Sequence, residues 1–236
     1  MRSIALVVTL LALSLQFAAA QVLPPAEGYT VDVTFSKGLE RRMASINNLE
    51  QNFEEQFRQS RQDRQSFPTT GTQRFSETET SGTEWAGDRL IGDPSAFTLE
   101  NLVKAMAAYN VNRAAPDFRG RVEFDIRELK LTNSPIASLE SFQSYAAGRV
   151  KVTDAAGNVV YDGKVRANLV RQPTVDRSYS GPELAFLETD PTKRVGPVLA
   201  NFVERSLERV WPDRKEEIAG PVIIRVSEPN ERVVIN

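Results

Sequence analysis

The chain predicts an α+β protein: an antiparallel or mixed sheet with two to three amphipathic helices packed on one face. Three observations carry this. Period-2 alternation, as in Val31, Val33 and Phe35 or in Val122, Phe124 and Ile126, is the mark of a half-buried strand. Apolar residues recur every three or four positions over residues 39–62, 99–110 and 197–210, the spacing of one helix face. Between two strand-like runs, Asp154-Ala155-Ala156-Gly157-Asn158 supplies turn residues, so those runs form an antiparallel hairpin.

The first twenty residues precede this pattern. Arg2 gives a positive start, residues 4–17 are mostly apolar, and Ala18-Ala19-Ala20 closes the run with small side chains. That layout is a secretory signal peptide, with Ala18 and Ala20 as the small residues at the cleavage site and Gln21 as the first mature residue. A retained membrane anchor needs about 20 apolar residues; Ser14 and Gln16 interrupt a shorter run, and no charged cluster follows it. Lipid attachment needs a cysteine where Gln21 stands. The expected organisation is a signal peptide over 1–20, a spacer over 21–29, and one α/β domain over 30–236.

Within that domain, residues 30–35 read as a strand. Past Gly38 the period becomes helical: Leu39, Met43, Ile46, Leu49, Phe53 and Phe57 share one stripe. Arg41, Arg42, Arg58, Arg61 and Arg64, interleaved with Glu50, Glu54 and Glu55, read as the solvated face of this helix. The stripe can dock on the chain's own sheet or on a partner helix. Residues 66–83 are rich in Ser, Thr, Gly and Glu and are expected to be mobile. Thr98 is placed to cap a second helix with the stripe Leu99, Leu102, Val103, Met106 and Ala107.

Val122, Phe124 and Ile126 then alternate, and the phase slips by one to Leu129 and Leu131. A slip inside a strand predicts a bulge. Strands over 142–153 and 159–170 complete the hairpin. A polar loop follows over 172–192. Gly196-Pro197 opens a third helix, with proline at its favoured first position; Val198, Leu199, Phe202, Val203, Leu207 and Val210 face inward, Glu204 faces outward, and Trp211-Pro212 stops the helix. Residues 222–226 read as a strand interior to the sheet, and Val233, Val234 and Ile235 as a further edge strand.

Composition excludes much chemistry. The 236 residues include no cysteine and no histidine. Disulfides, Ser-His-Asp triads, Cys-His sites and His/Cys zinc sites are therefore impossible. With 29 basic and 31 acidic residues the formal net charge is −2, which gives no general affinity for nucleic acid. No Asn-x-Ser/Thr sequon is present, since Asn133-Ser134-Pro135 fails at its third residue, and this fits a bacterial periplasm.

Three motifs were weighed. Gly87 and Gly92 have phosphate-loop spacing, but Asp93-Pro94 stand where Lys-Ser/Thr must be, and a carboxylate repels phosphate. Asp154, Asn158 and Asp162 lack the alternating ligands of a calcium loop, and a hairpin turn accounts for the first two. Asp176, Arg177 and Tyr179 cluster in the polar loop, where a surface connection explains them. No catalytic, cofactor-binding or metal-ligating residue emerges. A two-carboxylate glycosidase stays open, because 31 acidic residues permit one.

Residues 85–226 resemble periplasmic proteins of alphaproteobacteria. The carriers are Trp85 with Gly92-Asp93, then Val122-Glu123-Phe124-Asp125-Ile126, then Val152-Thr153-Asp154-Ala155-Ala156-Gly157. The layout is more loosely similar to ABC-transport auxiliary lipoproteins and outer-membrane assembly lipoproteins, which are anchored through a cysteine this chain lacks. The resemblance implies a periplasmic protein that works with an envelope protein or transport complex, with no span left after cleavage, and it brings no catalytic residue. The function expected is therefore a non-enzymatic binding or accessory protein of the cell envelope. The alternatives are a carboxylate-dependent periplasmic hydrolase and a structural or adhesion protein. An unpaired sheet edge or exposed apolar groove favours the first; a cleft with two facing carboxylates favours the hydrolase.

Overall fold

The computed structural model describes residues 26, 28–66, 90–131, 144–169, 185–187 and 195–224. The chain runs β1 (Tyr29–Phe35), α1 (Lys37–Ser66), a 3-10 turn (Pro94–Ala96), α2 (Leu99–Ala114), β2 (Gly120–Lys130), β3 (Tyr145–Asp154), β4 (Val159–Asn168), β5 (Ala185–Leu187), α3 (Gly196–Val210), a 3-10 stretch (Pro212–Glu217) and β6 (Val222–Ile224). The expected cleavage residues Ala18, Ala20 and Gln21, the segment 67–83, the loop residues 175–182 and the tail strand 233–235 lie outside the described residues.

Four strands form a mixed sheet in the order β1-β2-β3-β4. β1 pairs parallel with β2, from Tyr29↔Gly120 to Phe35↔Ile126, while β2–β3 and β3–β4 are antiparallel. The α+β class is thus as the sequence predicts. The parallel pair requires the long crossover through α1 and α2, because a tight turn cannot join parallel neighbours. The phase slip in β2 is a register shift between Ile126 and Glu128. Just ahead of it Gly148 crosses Ile126 so closely that a Cβ would overlap the Asp125 carbonyl, which leaves room only for glycine.

One face of the sheet is the core. Val122, Phe124, Ile126, Ala146, Val150, Val152, Val165 and Ala167 point to it, and each is at most 2% exposed. α2 and α3 cover that face and pack on each other. Thr98 caps α2 as expected, its hydroxyl accepting from Asn101 N–H at 3.2 Å. The α3 stripe Leu199, Phe202, Val203 and Leu207 is fully buried, and the Phe202 ring meets Phe124 edge-on at 6.3 Å between centroids. Burying such side chains contributes about 1.5–3 kcal/mol each, which is what holds a helix of this length in place.

Four expectations need correction. Residues 222–224 are not interior to the main sheet; β6 pairs parallel with β5 in a separate two-stranded ladder, Ala185↔Val222 to Leu187↔Ile224. β5 itself lies in the stretch read as a polar loop. A short apolar run carries no sign of which sheet receives it, and Ala185-Phe186-Leu187 is too short to show a period. Glu50 and Glu54 are not on a solvated face but are 0% and 1% exposed. Glu204 is half-buried, not outward. A smaller difference is that Gly196, not Pro197, opens α3.

Candidate functional site

The middle of α1 meets the N-termini of both other helices. A helix N-terminus presents backbone N–H groups without intrahelical acceptors and carries partial positive charge. Asn47 Oδ1 accepts from Leu99 N–H, at the start of α2, at 2.9 Å. One turn on, Glu50 Oε1 accepts from Val195 N–H at 2.6 Å. Val195 is the N-cap of α3 and makes no side-chain cap of its own, so a carboxylate from another helix supplies it. Gln51 Nε2 adds a donated bond to Ser95 O at 3.1 Å, on the 3-10 turn that leads into α2. That turn is in turn capped by Asp93, whose carboxylate accepts from Ser95 N–H at 2.8 Å and Ser95 O–H at 2.7 Å. The aspartate that excludes a phosphate loop is a local cap.

Sequence reasoning missed Glu50 and Glu54, although a signal was present. At about 100° per residue, Glu50 falls about 20° from Leu39, between it and Met43, and Glu54 about 60° from Leu39. Both carboxylates thus lie on the face that packs, whereas Leu49, at the stripe's other margin, is 40% exposed. A charged residue inside an apolar stripe is the sign of a buried polar contact. As catalytic groups the two do not qualify. Solvent reaches neither, and Glu50 is committed to Val195 N–H.

The outer face of the sheet carries a lattice of ion pairs. Arg121 pairs with Asp32 at 2.6 Å and lies 3.7 Å from Glu123, which lies 3.9 Å from Lys151. Arg127 pairs with Asp125 at 2.6 Å, and Arg149 holds both oxygens of Asp162, at 2.5 and 2.6 Å. The Arg149 hydrogen bond holds the Asp162 carboxyl below the usual range. Asp154 is lowered as well, first by the bond from the Asn158 side chain and then by backbone N–H groups of the turn. The three residues weighed as a calcium loop are therefore a turn and an ion pair. Beside them the Arg166 guanidinium lies 3.8 Å from the Tyr145 ring centroid. Opposite signs face each other at Glu123↔Lys151, Asp125↔Arg149 and Lys151↔Asp162, whereas Asp32↔Glu123 and Arg149↔Lys164 set like charges side by side. Among the described residues no cluster of three or more His, Cys, Asp or Glu is placed to hold a metal ion.

The two edges of the sheet differ. α3 lies along β4, and its side chains bond two of the carbonyls that β4 turns outward: Arg209 Nη1 donates to Lys164 O at 2.8 Å and Asn201 Nδ2 to Asn168 O at 3.1 Å. At the other edge, Gly120 N–H donates to Gly28 O at 3.3 Å and Ser36 N–H to Ile126 O at 3.0 Å. Even-numbered positions of β1 therefore face β2, and Val31, Val33 and Phe35 aim their backbone groups away from the sheet. Among the described residues no hydrogen bond reaches those outward groups. The side chains of these three residues are only partly buried, although each lies beside a β2 residue that is at most 1% exposed. The start of β1 is pinned by Tyr29, whose hydroxyl reaches Asn112 Oδ1 at 2.6 Å and Ala108 O at 3.1 Å; burial pushes this phenol up to about 12.

A last polar contact joins α2 to the approach of β6. The Asn110 side chain bonds Ala219 twice, accepting its N–H at 2.6 Å and donating to its carbonyl at 3.1 Å. Next to it the Glu204 carboxyl rests on Gly220, where any Cβ would overlap it. Burial raises the pKa of Glu204, opposed in part by Arg205 and reinforced by Glu208.

Among the described residues no helix is long and apolar enough to cross a membrane. No protein-family model, no curated protein and no solved structure matches this chain.

Proposed function

We propose that this chain is a non-enzymatic binding or accessory protein of the bacterial cell envelope, exported to the periplasm, whose partner is an envelope protein or transport complex. One observation carries the reading: among the described residues nothing bonds the outer edge of β1. Outward backbone groups at Val31, Val33 and Phe35, flanked by half-buried apolar side chains, are what an added strand needs, because main-chain bonds give affinity and the side-chain rows give selectivity. Export rests on Arg2, the apolar run and Ala18-Ala20-Gln21. The absence of cysteine and histidine from the sequence narrows the hydrolase alternative to carboxylates; the two most buried ones, Glu50 and Glu54, are closed off from solvent, and Glu50 holds the start of α3.

The test is capture from a periplasmic extract by the parent chain and by Val33→Pro. Proline at this outward position removes an edge N–H that β2 does not use, and edge strands tolerate it. A protein captured by the parent and lost with Val33→Pro, at unchanged folding, supports the proposal. Release of sugar or peptide products from cell-wall material by the purified chain would overturn it.

A further inference from the structure

We propose that the Glu204–Gly220 contact is a pH-sensitive clasp, holding residues 218–221 more firmly on α3 in mildly acid solution than at neutral pH. The geometry is specific. The Glu204 carboxyl occupies the space beside Gly220 that a side chain would otherwise take. Among the described residues no hydrogen bond or ion pair reaches it. A half-buried carboxylate without a donor is costly when charged and tolerable when neutral.

The surroundings do not compensate. On α3 itself, Arg205 is bonded to Glu208 at 2.9 Å, and Glu208 adds like charge. Residues 218–221 are Ile, Ala, Gly and Pro and bring no titratable side chain. In the 3-10 stretch before them, Arg214 is paired with Glu217 at 3.0 Å, with Asp213, Lys215 and Glu216 alongside. On α2, Lys104 is paired with Glu100 at 2.6 Å and Arg113 lies over the Tyr109 ring. β4, packed along α3, presents Lys164 on the sheet's other face.

The sign follows from linkage. Packing raises the Glu204 pKa, so the folded contact favours the protonated form. Its contribution is complete below the ordinary glutamate range and is lost as pH rises through the raised value. The same segment is also held by Asn110 and by buried Ile218, neither of which titrates. Acid therefore strengthens one of three fastenings, and neutral solution weakens it without releasing the chain.

Hydrogen exchange of the Ala219 and Gly220 amides, corrected for intrinsic rates, reads this directly at about pH 5 and about pH 7.5. The parent should show severalfold greater protection at the acid pH, while the β2 and β3 amides should not change. Glu204→Gln, neutral at both values, should hold the acid-level protection throughout. Gly220→Ala, which removes the seat, should lower protection at both. A Glu204→Gln variant that keeps the parental pH dependence, or a parent with none, would overturn the proposal.

Discussion

Helix α3 buries Val198, Leu199, Phe202, Val203 and Leu207 completely against the sheet and α2, whereas the middle of α1 is fastened through Asn47, Glu50 and Gln51. Both helices follow β structure and both have an apolar stripe, but they are held by different physics. Each fully buried α3 side chain contributes about 1.5–3 kcal/mol without directional demands. Each hydrogen bond of α1 is worth about 0.5–1.5 kcal/mol net, and it requires its partner at one place. α3 therefore secures the sheet, while α1 sets where the N-termini of α2 and α3 lie relative to each other. The apolar contacts of α1, through Leu39, Met43 and Ile46, are only partly buried.

The comparison breaks first at Phe202. Truncation to alanine should cost about 3–5 kcal/mol in a urea melt, the range for a core aromatic. A loss near zero would mean that α3 does not secure the sheet. Glu50→Ala comes next, at about 1–3 kcal/mol, because it strands the buried Val195 N–H. Its exchange signature is the sharper measurement: amides at the start of α3 should open, while those of β2 to β4 stay protected. Uniform opening would put α1 on the same footing as α3. The smallest effect is expected at Asp162→Asn on the exposed lattice. Both partners of that pair stand in water, so the change should fall below what a urea melt resolves.

The α3 side of this contrast was legible in the sequence, and the α1 side largely was not. Six apolar positions on one stripe and prolines at both ends placed α3 to within one residue, and the slip from Ile126 to Leu129 placed the bulge. These are local signals, written within one element. The pairing of β1 with β2 leaves no local trace, because 84 residues separate Phe35 from Gly120 and parallel pairing has no turn to mark it. The partner of β6 leaves no local trace for the same reason. Glu50 differs: its angular position was computable, but its acceptor role depends on Val195, 145 residues away. The discriminating feature of the site, the outward backbone of Val31 and Val33, is likewise a property of what, among the described residues, does not pair with β1. No pattern within residues 29–35 records it.

The unequal edges give the sheet a valence. Arg209 and Asn201 occupy two of the carbonyls on the β4 edge, whereas among the described residues no bond reaches the outward groups of β1, so β1 is the more available side for an added strand. An edge that bonds a copy of itself consumes the free side of both molecules, so growth stops at a pair. A sheet open on both sides would have no such terminus and could add molecules without limit, which is the route to fibres. Arg209 and Asn201 thus bias the sheet toward β1: two carbonyls of β4 already have their donors, so a strand added there would find fewer groups to bond.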